Sequence, residues 1–236
     1  MDNFWQTKEG LYLSLLIKIL VNTIYYEDQN RYDGKIWPEN AHTMIGIPRL
    51  QNIVALAIDV IKNKVPGDFV ETGVWRGGAT ILMRAILKVF NISNRNVWLC
   101  DSFAGLPRNT WPQDAGLELY QHNILSVALE QVKENFNAYD LLDEQVKFLK
   151  GFFKETLPTA PINTISILRL DGDLYESTWQ ALIYLYPKIV KNGYIIIDDY
   201  GCIPACQQAV IHFREKYKIN DPIHTIDWAG VFWKKS

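Results

Sequence analysis

From Asp68 onward, short apolar runs alternate with amphipathic stretches, and this alternation limits the possible folds more than any other feature of the chain. Strand-length runs fall at Asp68–Glu71, Asn96–Cys100, Val146–Leu149, Ile165–Leu170 and Tyr194–Ile197. Helical periodicity falls between and after them, at Gly78–Phe90, Glu118–Tyr139, Ser177–Val190 and Pro204–Tyr217. Strand, helix, strand in succession predicts a parallel sheet covered by helices, because each crossover carries an apolar helix stripe back over the strands. The tail, Ile223–Trp233, supplies two last strands, one of them antiparallel. The predicted class is α/β, a doubly wound, mostly parallel, seven-stranded, Rossmann-like sheet.

The residues before this alternation read differently. Phe4, Trp5, Leu11, Leu15, Leu16 and Ile19 recur at helical spacing, and polar residues from Glu27 to Gly34 break the pattern. A second helical run after Pro48 places Leu50, Ile53, Val54, Ala57, Ile58 and Ile61 on one face and stops at Val65-Pro66-Gly67. Residues 1–65 are therefore an expected N-terminal helical extension, whose apolar stripe suits a dimer contact, and residues 66–236 the main domain. A chain of 236 residues, 48% hydrophobic, buries a core without needing disulfides or metals. A net charge of −2 argues against nucleic acid, which selects clustered Lys and Arg. Leu11–Val21 is interrupted by Lys18 and is shorter than the ~20 residues of a membrane span. Three cysteines without framework spacing fit a reducing, cytoplasmic setting. Cys202, Cys206 and His212 match zinc spacing only loosely, and the helix expected there buries them instead.

In an open α/β sheet the ligand lies outside the carboxyl ends of the strands, so the residues just after each apolar run are the informative ones. Here they are Glu71-Thr72-Gly73-Val74-Trp75-Arg76-Gly77-Gly78, Asp101-Ser102-Phe103, Gly151-Phe152-Phe153, Asp171-Gly172-Asp173 and Asp198-Asp199. Glycines between a strand and a helix permit positive φ and let a ligand approach the helix N-terminus. Trp75 stands where a dinucleotide fingerprint needs its second glycine, which argues against a pyrophosphate, whereas Glu71 suits a cationic ligand. Asp101 sits where nucleotide-binding sheets accept hydrogen bonds from ribose hydroxyls, and fits an adenosine without phosphates. Phe152 and Phe153 either flank an adenine ring or pack in the core.

Asp173, Asp198 and Asp199 follow two strands expected to be neighbours, and three carboxylates brought that close repel unless a cation joins them. Mg²⁺ prefers oxygen ligands and keeps positions open for water or substrate. The alternative is that these aspartates cap helices, Asp173 before Ser177 and Asp199 before Pro204. Asp171 is then a general base for an acceptor hydroxyl, or a carboxylate that orients the metal ligands.

These motifs together resemble the macrocin O-methyltransferase family, whose members methylate sugar hydroxyls on macrolide and aminocoumarin antibiotics. The matching stretches are Ala41–Gly46, Asp68–Gly78, Asp101–Pro107, Gly151–Pro158, Leu170–Thr178 and Ile197–Gly201, within a resemblance that runs from about Tyr32 to the end. The resemblance implies a class I methyltransferase sheet, S-adenosylmethionine as donor, and Mg²⁺ held by Asp173, Asp198 and Asp199 with Asp171 as general base. It implies cofactor contacts from Glu71, Thr72, Gly73, Val74 and Trp75 and from Asp101, Ser102, Phe103, Ala104 and Gly105. Thr43 and Met44 match a lid over the methionine end, and Phe152 stands where many relatives carry Trp.

The expected reaction is methyl transfer to one hydroxyl of a vicinal diol on a sugar of a natural product. Two rivals remain open. A catechol methyltransferase would use the same chelated oxygen pair in a flat aromatic pocket, for which Trp37, Trp111, Trp179 and Trp228 are available. A catalytically idle cofactor-binding subunit would have no use for the aspartates.

Overall fold

Residues 3–26 and 28–236 are described in a computed structural model of the chain. Helices α1 (Lys8–Val21), α2 (Gln29–Asp33) and α3 (Ile47–Lys62) precede the sheet. The alternating part then runs β1 (Asp68–Thr72), α4 (Gly78–Val89), β2 (Val97–Asp101), α5 (Leu129–Asn137), β3 (Val146–Lys150), α6 (Phe153–Thr156) and β4 (Ile165–Leu170). It ends with α7 (Tyr175–Leu185), β5 (Ile189–Ile197), α8 (Pro204–Lys216), β6 (His224–Thr225) and β7 (Val231–Lys234). The seven strands lie in the order β3-β2-β1-β4-β5-β7-β6; the first five are parallel, and β7 runs antiparallel to both β5 and β6. This is the doubly wound, mostly parallel sheet expected from the sequence.

Alternation along each strand divides the core between two layers, because successive side chains leave a strand on opposite faces. Phe69, Leu99, Ile167 and Ile196 pack on one face with residues of α1, α3, α4 and α5. Their neighbours Val70, Cys100, Leu168, Ile195 and Ile197 pack on the other face with Ala181, Leu182 and Leu185 of α7 and Val210 and Phe213 of α8. The N-terminal helices thus share the first of these cores: Leu13, Leu16, Ile17 and Leu20 of α1 and Leu50, Ile53, Val54 and Ala57 of α3 are buried in it. Thr7 caps α1 by accepting from Gly10 N at 3.0 Å. Among the described residues no helix is long and apolar enough to cross a membrane.

Two predicted helices are shorter than their periodicity suggested. Glu118–Tyr139 is helical only over Leu129–Asn137; before that, the chain makes 3₁₀ turns at Leu119–Gln121 and Asn123–Leu125. Its leucines mimic a helical stripe, yet Leu119 and Leu125 face a cleft at the sheet edge and the carbonyl of Ile124 accepts from Trp75 Nε1 at 2.7 Å. Ser177–Val190 is helical from Tyr175 to Leu185 and then tightens into a 3₁₀ turn at Tyr186–Lys188, because Pro187 has no N–H to continue the helix. β5 consequently begins at Ile189 rather than Tyr194.

The first and fourth strands approach most closely just beyond their ends, at Gly73. Its φ is +80°, its N–H donates to the carbonyl of Cys100 at 2.9 Å, and a Cβ there would overlap the carbonyl oxygen of Asp171. Gly73→Ala is expected to lower stability by more than about 2 kcal/mol, since strain and backbone overlap act together. Urea unfolding measures this, and an unchanged midpoint would contradict it.

Candidate active site

The strand order reverses at β1, with β2 and β3 on one side and β4 and β5 on the other, and in such sheets the crevice beyond the strand ends at the reversal is where ligands bind. A cleft of about 1430 Å³, its open mouth included, lies there. Asp101, Ser102, Phe152, Phe153, Asp171, Asp173, Asp198 and Asp199 all line it, together with Gly73, Trp75, Gly105 and Met44. Three non-glycine residues just past strand ends have left-handed backbones, Trp75 (φ +48°), Phe103 (φ +53°) and Asp173 (φ +58°). Each such conformation costs roughly 1–3 kcal/mol, and three of them around one crevice mark it as a site held against local preference.

Register explains the acidic floor. Glu71 of β1 pairs with Arg169 of β4, which pairs with Ile196 of β5, so Glu71, Arg169, Asp171 and Asp198 all lie toward the same face. Arg169 is almost completely buried and donates to Glu71 Oε1, to Asp198 Oδ1 and, at 2.8 Å, to Asp171 Oδ2. From α3, Arg49 donates to the other oxygen of Asp198 and, at 3.0 Å, to Asp227 Oδ2. Two guanidiniums therefore face six carboxyls, those of Glu71, Asp171, Asp173, Asp198, Asp199 and Asp227, and the acids are in excess. Burial, followed by the neighbouring carboxylate of Asp198, pushes Asp171 up to about 6; burial with Asp171 and Asp198 pushes Asp173 up to about 7. Asp199 is pushed well above the ordinary range for the same reasons, with Asp173 its largest like-charge neighbour. Burial holds Glu71 at about 8, and its Oε2 has no hydrogen-bond partner.

Ligand oxygens of Asp171, Asp198 and Asp199 lie within 4.8 Å of one another, a separation one cation can span. The sequence reading grouped Asp173 with Asp198 and Asp199 and set Asp171 aside; in the structure Asp171 completes the convergent triple, while Asp173 lines the cleft beside it. Asp173, whose φ is +58°, stays close to the triple, its N–H donating to Asp199 Oδ2 at 3.3 Å. The two candidate helices are not capped by these aspartates. The N-terminus of α7 is capped from across the chain by Asp114, which accepts from Tyr175 N at 2.6 Å and Glu176 N at 3.1 Å, and α8 has no side-chain cap.

Beside the acids, the loops after β1 and β2 hold each other. Asp101 accepts from Val74 N and Phe103 N, both at 2.7 Å, and Ser102 Oγ donates to Gly105 O at 2.6 Å while accepting from Ala104 N. Burial raises the Asp101 carboxyl although these backbone bonds oppose it. Thr72, Val74 and Phe103 shape this wall from behind, Glu71 is bound to Arg169, and Ala104 is exposed outside the cleft. Arg76 fastens the N-terminal segment to the same wall by donating to the carbonyls of Glu39 at 2.7 Å and Ala41 at 2.8 Å. That segment brings Met44 and Trp37 to the cleft, whereas Thr43 is buried and accepts from Ile45 N. Opposite, α7 contributes Glu176, Ser177 and Gln180; Thr110 donates to one oxygen of Glu176 and Gln180 to the other. Trp37 and Trp228 line the cleft, but Trp111 and Trp179 pack on Tyr175 instead.

Sequence reasoning missed Arg49, Arg169 and Asp114. Arg169 was visible as the one charged residue in the run Ile165–Leu170, and Arg49 shares the buried helical face of Ile53 and Val60. A charge inside an apolar pattern was the available signal.

The chain is similar to known proteins along nearly its whole length. The family model described as Macrocin-O-methyltransferase matches residues 15–235. The chain is 51% identical to demethyldecarbamoylnovobiocin O-methyltransferase of Streptomyces niveus, over 96% of this chain and 94% of that protein. It is 47% identical to 8-demethyl-8-(2,3-dimethoxy-alpha-L-rhamnosyl)-tetracenomycin-C 4'-O-methyltransferase of Streptomyces olivaceus, over 95% and 92%. The structure of the O-methyltransferase NovP superposes with a TM-score of 0.95 at 51% identity, covering 97% of this chain and all of that one.

A carboxyl whose pKa is higher folded than unfolded binds more protons in the native state, so its contribution to stability is complete below about pH 4 and is lost as pH rises through the folded value. For Asp171 and Asp173 that loss is centred near about 6 and 7. Cation-free protein should accordingly melt lower at about pH 8 than at about pH 5.5, and Asp173→Asn should flatten the slope. Calorimetry at the two pH values checks this; an equally steep slope in the variant would count against the acid cluster.

Proposed function

Because the chain belongs to the macrocin O-methyltransferase family, we propose that it methylates one hydroxyl of a vicinal diol on a sugar of a natural product, with S-adenosylmethionine as donor and Mg²⁺ as helper. The observation that carries this reading is the convergence of Asp171, Asp198 and Asp199 at one end of a cleft whose other end is walled by the glycine loop and Asp101. A relative named for a rhamnosyl substrate supports a sugar acceptor.

S-adenosylmethionine supplies an electrophilic sulfonium methyl when bound. Asp101 retains acceptor lone pairs on both oxygens after its two backbone bonds, which suits the ribose hydroxyls, and Phe152 and Phe153 stand at the next strand end to flank the adenine. Gly73 leaves room against the loop, and Met44 covers the opposite side. The acid surplus fits a divalent cation, because oxygen-only donors in a buried cluster of like charge are stabilised by one. Asp171, Asp198 and Asp199 would hold Mg²⁺, which when bound would supply a Lewis acid that eases ionisation of an acceptor hydroxyl.

Asp173 takes the proton. It lies on the cleft, outside the triple, and so stays available to an acceptor hydroxyl. This exchanges the roles of Asp171 and Asp173 expected from the sequence. Glu176, Ser177 and Gln180 give the acceptor end a hydrogen-bonding wall, which favours a polyol over the flat ring of a catechol. The intact cluster also speaks against an idle subunit, for which buried like charges would be only a cost.

Leu11, Leu15 and Ile19, four residues apart on α1, are exposed along one stripe, and with Tyr25 they support a homodimer through the N-terminal helices. Sedimentation should show a dimer at micromolar concentration that Leu15→Glu dissociates; a monomeric parent protein would remove this part of the reading.

A methyl-transfer assay across sugars and catechols, with and without chelator, tests the whole. Asp173→Asn should keep cation and donor binding yet lose on the order of 10²-fold or more in turnover, whereas Asp171→Asn should lose cation affinity. Chelator-insensitive activity, or cation loss in Asp173→Asn but not in Asp171→Asn, would overturn the assignment.

A further inference from the structure

Arg49 occupies a slot built for it. Its three nitrogens reach in three directions: Nη1 to Asp198 Oδ2 at the acid cluster, Nε to Asp227 Oδ2 at 3.0 Å, and Nη2 to the carbonyl of Gly34 at 3.1 Å. The guanidinium lies 5.7 Å from the ring of Trp228, and the side chain is only 5% exposed. Two glycines keep the slot open. A Cβ on Gly34, whose φ is +68°, would stand 2.6 Å from Arg49 Nη2, and a Cβ on Gly230 would stand 3.0 Å from its Cδ. Gly34 begins the segment that runs along the cleft through Lys35, Ile36 and Trp37 to Met44.

We infer that Arg49 is a positioning residue that couples this segment to the orientation of Asp198. Asp198 is gripped on one oxygen by Arg169 and on the other by Arg49. Arg169 belongs to the sheet and is anchored by Glu71 and Asp171, so it sets a fixed reference. Arg49 reaches Asp198 from α3 with the Gly34 carbonyl on the same guanidinium, so a shift of either partner pulls on the other. Only a planar fork satisfies three acceptors spread this widely; a lysine ammonium is a point donor on a flexible stem. The consequence for catalysis rests on the reading of Asp198 as a cation ligand, since closing the segment over the acceptor then also aims that ligand.

Hydrogen exchange of the backbone amides between Lys35 and Met44 tests the coupling in the parent protein, Arg49→Lys and Asp198→Asn. Both variants are expected to speed exchange in that segment by about tenfold while amides of β1 and β4 keep their protection. Arg49 as mere packing would not make the segment respond to Asp198, whose side-chain oxygens are bound by Arg169 and Arg49. Unchanged segment exchange in either variant overturns the proposal, and so does an equal rise in the sheet amides, which would signal general destabilisation. Chelator-insensitive methyl transfer by the parent protein would instead remove the cation reading and leave the exchange comparison standing.

Discussion

Arg169 holds the ends of three strands together. It projects from the middle of the parallel sheet into a buried space where Glu71, Asp171 and Asp198 meet, and it donates to all three. A buried carboxylate without a partner carries a desolvation cost of several kcal/mol, so these acids stand side by side either around a cation or by holding protons. Arg169 supplies that cation from the protein itself. It does not supply enough charge for Asp173 and Asp199 as well, and this shortfall defines the chemistry: the cluster is preassembled yet still favours a further positive charge.

The rest of the site follows from keeping that centre aligned with the donor wall. Gly73 lets β1 and β4 close to within backbone contact, which places the Asp101 loop next to Asp171. Gly78 performs a related service on the outer side, where its N–H donates to His42 O at 2.9 Å and a side chain would collide with that carbonyl. Through this contact and the carbonyls taken by Arg76, the N-terminal segment is bound to the start of α4 and forms part of the cleft. The extension is therefore built into both the core and the site.

Much of this was legible in the sequence because strand ends are legible. Apolar runs stop where the sheet stops, and Asp101, Asp171, Asp198 and Asp199 are the residues that follow. The stretch from Glu118 to Ala128 was not legible as a loop, because Leu119 and Leu125 repeat at nearly helical spacing while serving the cleft instead of a core. Asp171 and Asp173 stand two residues apart at one strand end and could not be told apart by spacing, and the positive φ of Asp173 is a backbone choice that no local pattern announces for an aspartate. Arg49 and Arg169 were visible as anomalies, but their partners are far away in sequence, and only strand register brings them together.

The central claim is that the acid cluster, which outnumbers the charges of Arg49 and Arg169, forms a site for one divalent ion beside the donor cleft. Anomalous diffraction from crystals grown with Mn²⁺ and S-adenosylhomocysteine tests it most directly. The account predicts a single strong peak coordinated by Asp171, Asp198 and Asp199, with Arg169 still bound to Asp198. A peak elsewhere in the cleft, or none with the donor product bound, would contradict it.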